Sequence, residues 1–178
     1  MKKTILCLMA IATMAACGHK ADREEMIKDI EEQEQTIDLT FAEIDGVDSV
    51  LSDMIGRYRR FYTQFPGDSL TPMYMQRAAD LEITLGQSDA AVALLDSIIK
   101  LHSDYDDVAG CWFLKGYAYE CVENYDSARA VYTHFVDAYP EHPLAGDTRK
   151  TIQFLGLTPE EMFEAIMSGA SSDNLVSD

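Results

Sequence analysis

Basic residues are scarce in this chain. It has 14 Lys and Arg against 31 Asp and Glu, for a formal net charge of −17. Nucleic-acid binding needs a basic face to neutralise phosphates, so that class is excluded. The acidity either only keeps the chain soluble or also selects basic partner surfaces. Long apolar runs are missing as well. The run from Ile5 to Ala16 has 12 residues, whereas a helix needs about 20 to span a bilayer. Alternation with period two is never sustained, which argues against a sheet. Cysteine is rare, and no disulfide framework is implied. Cys111 and Cys121 stand ten residues apart on one predicted helix. That is about 15 Å of rise, beyond the about 7 Å that a disulfide tolerates between α carbons. They read as small buried apolar side chains.

The usual signatures of catalysis are also lacking. There is no Gly-x-Ser-x-Gly, His-Glu-x-x-His, Cys-x-x-Cys or Gly-x-Gly-x-x-Gly,. Asp104, Asp106 and Asp107 hint at a calcium loop. Such a loop would need glycine where Ala109 stands and an acid where Lys115 stands,. His102, His134 and His142 show no ligand spacing. The expectation is a non-enzymatic protein with no metal and no cofactor.

The N-terminus does have a pattern. Lys2 and Lys3 precede the short apolar run, which ends in Met14-Ala15-Ala16-Cys17. This resembles the cleavage box of bacterial lipoproteins. The resemblance implies a signal peptide over 1–16, cutting before Cys17, and acylation of the Cys17 sulfur. Membrane contact would then be made through lipid alone, in the cell envelope, with the periplasmic side of the outer membrane favoured and the cell surface the alternative. Residues 17–44 read as a lipid-anchor tether and acidic N-terminal helix. From Asp22 to Asp53 there are twelve acids and two bases, with Met26, Ile27, Ile30 and Ile37 as a thin apolar stripe,. That segment is either a flexible tether or a helix that docks on the body, and the reading favoured is a tether that passes into a helix near Glu24. Arg57, Arg59 and Arg60 either grip an acidic partner or neutralise this helix. Residues 168–178 lack an apolar pattern and read as a flexible tail.

Residues 45–167 read as helix after helix. Leu51, Met54, Ile55, Tyr58, Phe61, Tyr62 and Phe65 share one side of a helix ending near Gln64,. The same three-and-four spacing covers Asp89–His102 and Asp126–Tyr139, with Thr71–Leu85 and Val108–Val122 between them,. Asp89 and Asp126 stand where N-caps are wanted, and Gly86 marks a helix end. These segments repeat. Tyr58, Leu95 and Tyr132 are each 37 residues apart, as are Phe61, Ile98 and Phe135, and as are Ala42, Ala79 and Gly116. Two-helix units stacked in register explain such a series.

The copy that names a family is Trp112-x-x-Lys115-Gly116-x-x-Tyr119, then Ala128-x-x-x-Tyr132 and Pro140. It resembles a tetratricopeptide repeat, with Lys115 where that family has leucine. Tyr139-Pro140-Glu141-His142-Pro143-Leu144 is similar to inter-repeat loops in envelope tetratricopeptide proteins of the barrel-assembly and Tol-Pal systems. The implied fold is all-α: a short right-handed solenoid of antiparallel helix hairpins. Thr158 and Pro159 open a C-terminal capping helix that shields the end of the stack. The implied function is a scaffold or adaptor. It would bind a protein or peptide partner of the envelope in the groove lined by first helices. Met75, Ala79, Glu82, Phe113, Tyr117 and Glu120 are the groove residues so implied, on the face opposite Trp112 and Gly116. An ancillary chaperone holding unfolded envelope proteins is the alternative, and an enzyme is a more distant third.

Overall fold

The computed structural model describes residues 20–37 and 46–168. The predicted signal peptide, Cys17, Ala42 and the tail beyond Ser168 lie outside the described residues. Every regular element among the described residues is a helix. Helix α1 covers residues 20–37. It is followed by α2 (Val47–Gln64), α3 (Thr71–Thr84), α4 (Ser88–Leu101), α5 (Val108–Cys121), α6 (Tyr125–Ala138), α7 (Ala145–Phe154) and α8 (Pro159–Met167). The fold is all-α and solenoid-like, with consecutive helices packed: α4 on α5, α5 on α6, α6 on α7. Two compact units divide the chain, Met1–Leu81 and Glu82–Asp178.

The 37-residue period is written into the backbone. Helices α2, α4 and α6 end on Phe65, His102 and Tyr139, each with φ between −130° and −125°. Each of these residues donates its amide to a carbonyl four residues back, on Phe61, Ile98 and Phe135. The loops that follow repeat as well. Asp68, Tyr105 and His142 donate back to those three cap residues, and Thr71, Val108 and Ala145 donate to Asp68, Tyr105 and His142. Side chains follow the backbone: Phe61, Ile98 and Phe135 are all fully buried, and Tyr58, Leu95 and Tyr132 are buried too.

The turn inside a hairpin also recurs. Gly86 has φ 71° and Glu123, one period later, has φ 57°. Gln87 donates to the Glu82 carbonyl, as Asn124 does to that of Tyr119. Glycine enters the left-handed region without Cβ strain, whereas glutamate does so at a cost. These turns shift two expected caps. The N-cap residues of α4 and α6 are Gln87 and Asn124, so Asp89 and Asp126 sit inside the first turn. Asn124 closes the α6 end by accepting from the Ser127 amide, while both aspartates complement the positive helix end.

In the first unit, Leu51, Met54, Ile55, Tyr58 and Phe61 form the buried stripe of α2. Tyr74 of α3 stacks on Tyr58 at 5.4 Å and meets Phe61 edge-on at 4.8 Å. Helix α1 packs on this body and is already helical at residue 20, about one turn before the start expected near Glu24,. Its one buried apolar residue is Ile30; polar contacts supply the rest. Arg23 donates twice to Asp68, at 2.5 and 3.0 Å. Arg57 bridges Asp29 and Asp53, so it neutralises the acidic helix. Glu34 accepts from Tyr58 at 2.6 Å and from Arg77 at 2.5 Å.

The Arg23 guanidinium, chiefly through its hydrogen bonds, holds the Asp68 carboxyl below its ordinary 3.8. A depressed folded value stabilises above the unfolded value and is lost as pH falls through the folded one. Amides of α1 should therefore stay protected from hydrogen exchange near neutrality and lose protection below about pH 4. Asp68→Asn should lower that protection already at pH 7. Unchanged protection in the variant would show that Ile30 holds the helix without the ion pair.

In the second unit, α5 and α6 cross closely at Gly116. A Cβ built there would lie 2.5 Å from two ring carbons of Tyr132, so only glycine fits beside that ring. Lys115 has a mostly buried side chain. Its amine reaches Asp96 of α4 at 2.6 Å and lies 5.5 Å from the Trp112 ring centre. The long stem covers apolar surface while the charge finds an acid. Arg129 of α6 donates to the carbonyls of Ile152 and Leu155, a cation on the carbonyl end of α7. Thr158 and Glu161 form a reciprocal capping box, with Pro159 at the start of α8.

Candidate protein-binding surface

Three of the six residues expected to line a groove are covered, and two more face a neighbouring helix. Met75, Ala79 and Glu82 are buried, at 8%, 0% and 1% exposure. An open binding floor cannot be made from covered side chains. Phe113 is half-buried, with its ring 5.8 Å from Tyr132 and 5.9 Å from Phe135. Glu120 accepts a 2.7 Å hydrogen bond from the Tyr132 hydroxyl. Phe113 and Glu120 thus face α6, on the Gly116 side of α5 and not opposite it. The cause is helical phase, since residues three and four apart share a face. Phe113 and Glu120 flank Gly116 at those spacings, one turn before and one turn after. Tyr117 alone of the six is strongly exposed, at 43%.

The two sets were also out of register. One period after Met75, Ala79 and Glu82 come Trp112, Gly116 and Tyr119, not Phe113, Tyr117 and Glu120. Helix α5 is apolar on nearly every side, so periodicity could not fix its phase.

Beyond Tyr117 the chain opens into a cleft of about 640 Å³ in the second unit. Glu120 and Cys121 of α5, Phe154 of α7, Leu157 of the following turn and Met162 of α8 are among its walls. Cys121 is exposed, one helical turn after Tyr117. Its partner cysteine in the sequence, Cys111, is fully buried, and burial pushes that thiol up to about 12. A thiol so far above neutrality is protonated and a poor nucleophile. Burial and the neighbouring Glu120 raise the Tyr132 hydroxyl as well, so it remains a donor.

Helix α8 carries no buried residue. Phe163, Ile166 and Met167 are exposed by 64%, 62% and 69%. As a shield for the end of the stack it is one-sided: Met162 and Ala165 turn partly inward, and the larger apolar side chains turn out. No motif pointed to this face, although the spacing of 163, 166 and 167 is that of one helical stripe.

Among the described residues, no group of three His, Cys, Asp or Glu side chains is placed to hold a metal. None of the described helices is long and apolar enough to cross a membrane. What the surface offers is contact area: an aromatic, a cleft with apolar walls and acidic edges, and an apolar stripe. No protein-family model matches the chain, and neither the curated proteins nor the solved structures include a significant match to it.

Proposed function

We infer that this protein is a lipid-anchored scaffold or adaptor of the tetratricopeptide type, which holds another envelope protein against its helical repeats. One observation carries the reading: a helix-hairpin geometry that recurs at 37-residue steps in caps, turns and buried positions. Stacked hairpins make an extended, preformed surface whose use is to bind chains laid along it. The exposed Tyr117 and the cleft beyond it give that surface an aromatic anchor of the sort that dominates protein interfaces. Anchoring rests on the Met14-Ala15-Ala16-Cys17 box. Because α1 begins by residue 20, acylation at Cys17 would hold the first unit close to the bilayer surface.

A photoreactive residue placed at 117, with one at the exposed Thr133 as control, tests this in cells. The adaptor reading expects crosslinks from 117 to one or two envelope proteins and few from 133. Tyr117→Glu, introduced with a photoreactive group at a neighbouring exposed site, should cut capture about tenfold with no change in helix content. Capture of many unrelated unfolded proteins would favour the chaperone alternative. No capture from 117 would reject the surface. Phe113 is unsuited to the test, because a charge there would disrupt the hairpin core.

A further inference from the structure

We propose that the outward face of α8 docks an amphipathic helix of the partner whose apolar stripe is bordered by lysine or arginine. The proposal deepens the adaptor reading and rests on it. Ile166 and Met167 stand three and four residues after Phe163, the spacings that share one helix face, so the three form a single stripe. Each is more than 60% exposed. Contiguous exposed apolar side chains on one short helix mark an interaction site. Met162, one residue before Phe163, lines the adjoining cleft with Phe154 and Leu157, so a docked helix would find a socket beside the stripe.

Charge selects the occupant. Helix α8 contains Glu160, Glu161 and Glu164 and no basic residue. Glu161 is engaged in the capping box, while Glu160 and Glu164 are exposed. On a helical wheel both glutamates border the apolar stripe on one side. Glu120 and Glu123 add acid to the cleft wall, and its one lysine, Lys150, is paired with Asp147 at 2.8 Å. A second copy of this chain would bring the same acids against these. The residues after α8 contain Asp173 and Asp178 and no base, so they are mismatched too. Anionic lipid would be repelled. A helix with basic flanks satisfies both the stripe and the charges, in the helix-on-apolar-face mode of recognition.

The test uses the full chain and a synthetic peptide of about four helical turns, with leucines at helical spacing and lysines beside them. Its counterpart has glutamate in place of each lysine. Fluorescence anisotropy should show that the lysine peptide binds and the glutamate peptide does not. Combining Phe163→Ser, Ile166→Ser and Met167→Ser should weaken binding about tenfold or more, with circular dichroism unchanged. Glu160→Gln with Glu164→Gln should flatten its salt dependence. Single Phe163→Ser is the milder variant if the triple one loses helix.

Wild-type affinity in the serine variant would overturn the proposal, since the peptide would then be held by net charge alone. A wild-type dimer that the serine variant dissolves would assign the face to a second copy. Binding to phosphatidylcholine vesicles that the variant loses would assign it to lipid. Either result overturns the proposal. In cells, capture from position 117 that persists in the serine variant leaves the adaptor reading standing and removes this one. Peptide binding without any capture would do the reverse.

Discussion

Phe135→Ala should destabilise the unit Glu82–Asp178 by about 3–5 kcal/mol, the range for deleting a fully buried aromatic side chain. Phe135 is 0% exposed. Its ring lies among Phe113, Tyr139 and His142, with centroids 5.1 to 6.2 Å away, and it clusters with Val136 and Ala145. The site cannot collapse easily, because its walls come from α5, α6 and α7 and from the loop at His142. A cavity would remain, and the cost grows with its volume. The midpoint of thermal unfolding should fall by roughly 12 °C or more. Trp112, the chain's one tryptophan, packs against the same cluster. A denaturant titration followed by its fluorescence reads this unit directly. A loss below about 1 kcal/mol would mean that the ring is not at the centre of a packed core.

Gly116→Val has the next largest expected effect, about 2–3 kcal/mol of destabilisation. The clash is with Cδ1 and Cε1 of Tyr132, at 2.5 Å from the added Cβ. Tyr132 has little room to move away. It is 1% exposed, its hydroxyl is tied to Glu120, and Phe113 stands on its flank. Gly116→Ala meets the same atoms but regains helix propensity of up to about 1 kcal/mol. Its net cost should therefore be smaller than that of valine. Thermal melts of the three proteins, compared by circular dichroism, give the order directly.

The helices were legible in the sequence because their signals are local. Thr71, Val108 and the positions of Gly86 and Pro140 set ends that the structure keeps to within one or two residues. The capping box at Thr158 was legible for the same reason. The turn at Glu123 was not, since nothing about a glutamate announces a left-handed backbone; only its place one period after Gly86 does.

The candidate site was harder to see. The phase of α5 is hidden by its nearly uniform apolar surface, which put Phe113 and Glu120 on the wrong side. Docking of α1 depends on pairs such as Arg23 with Asp68, forty-five residues apart, and no local pattern carries that information. In α8, apolar residues occupy more than one side, so periodicity alone could not say whether Met162 or Phe163 turns inward. Contacts with the cleft decide it.

The central claim is that helix hairpins recur every 37 residues, and that the hairpin of α5 and α6 closes by setting Gly116 against the ring of Tyr132. A double-mutant cycle on Gly116 and Tyr132 tests it most directly. With Tyr132 present, Gly116→Ala should destabilise. In the Tyr132→Leu background, where the obstructing ring is gone, the same change should become neutral or stabilising by up to about 1 kcal/mol. An equal cost in both backgrounds would mean that the two side chains do not meet, and that the hairpin packing described here is wrong.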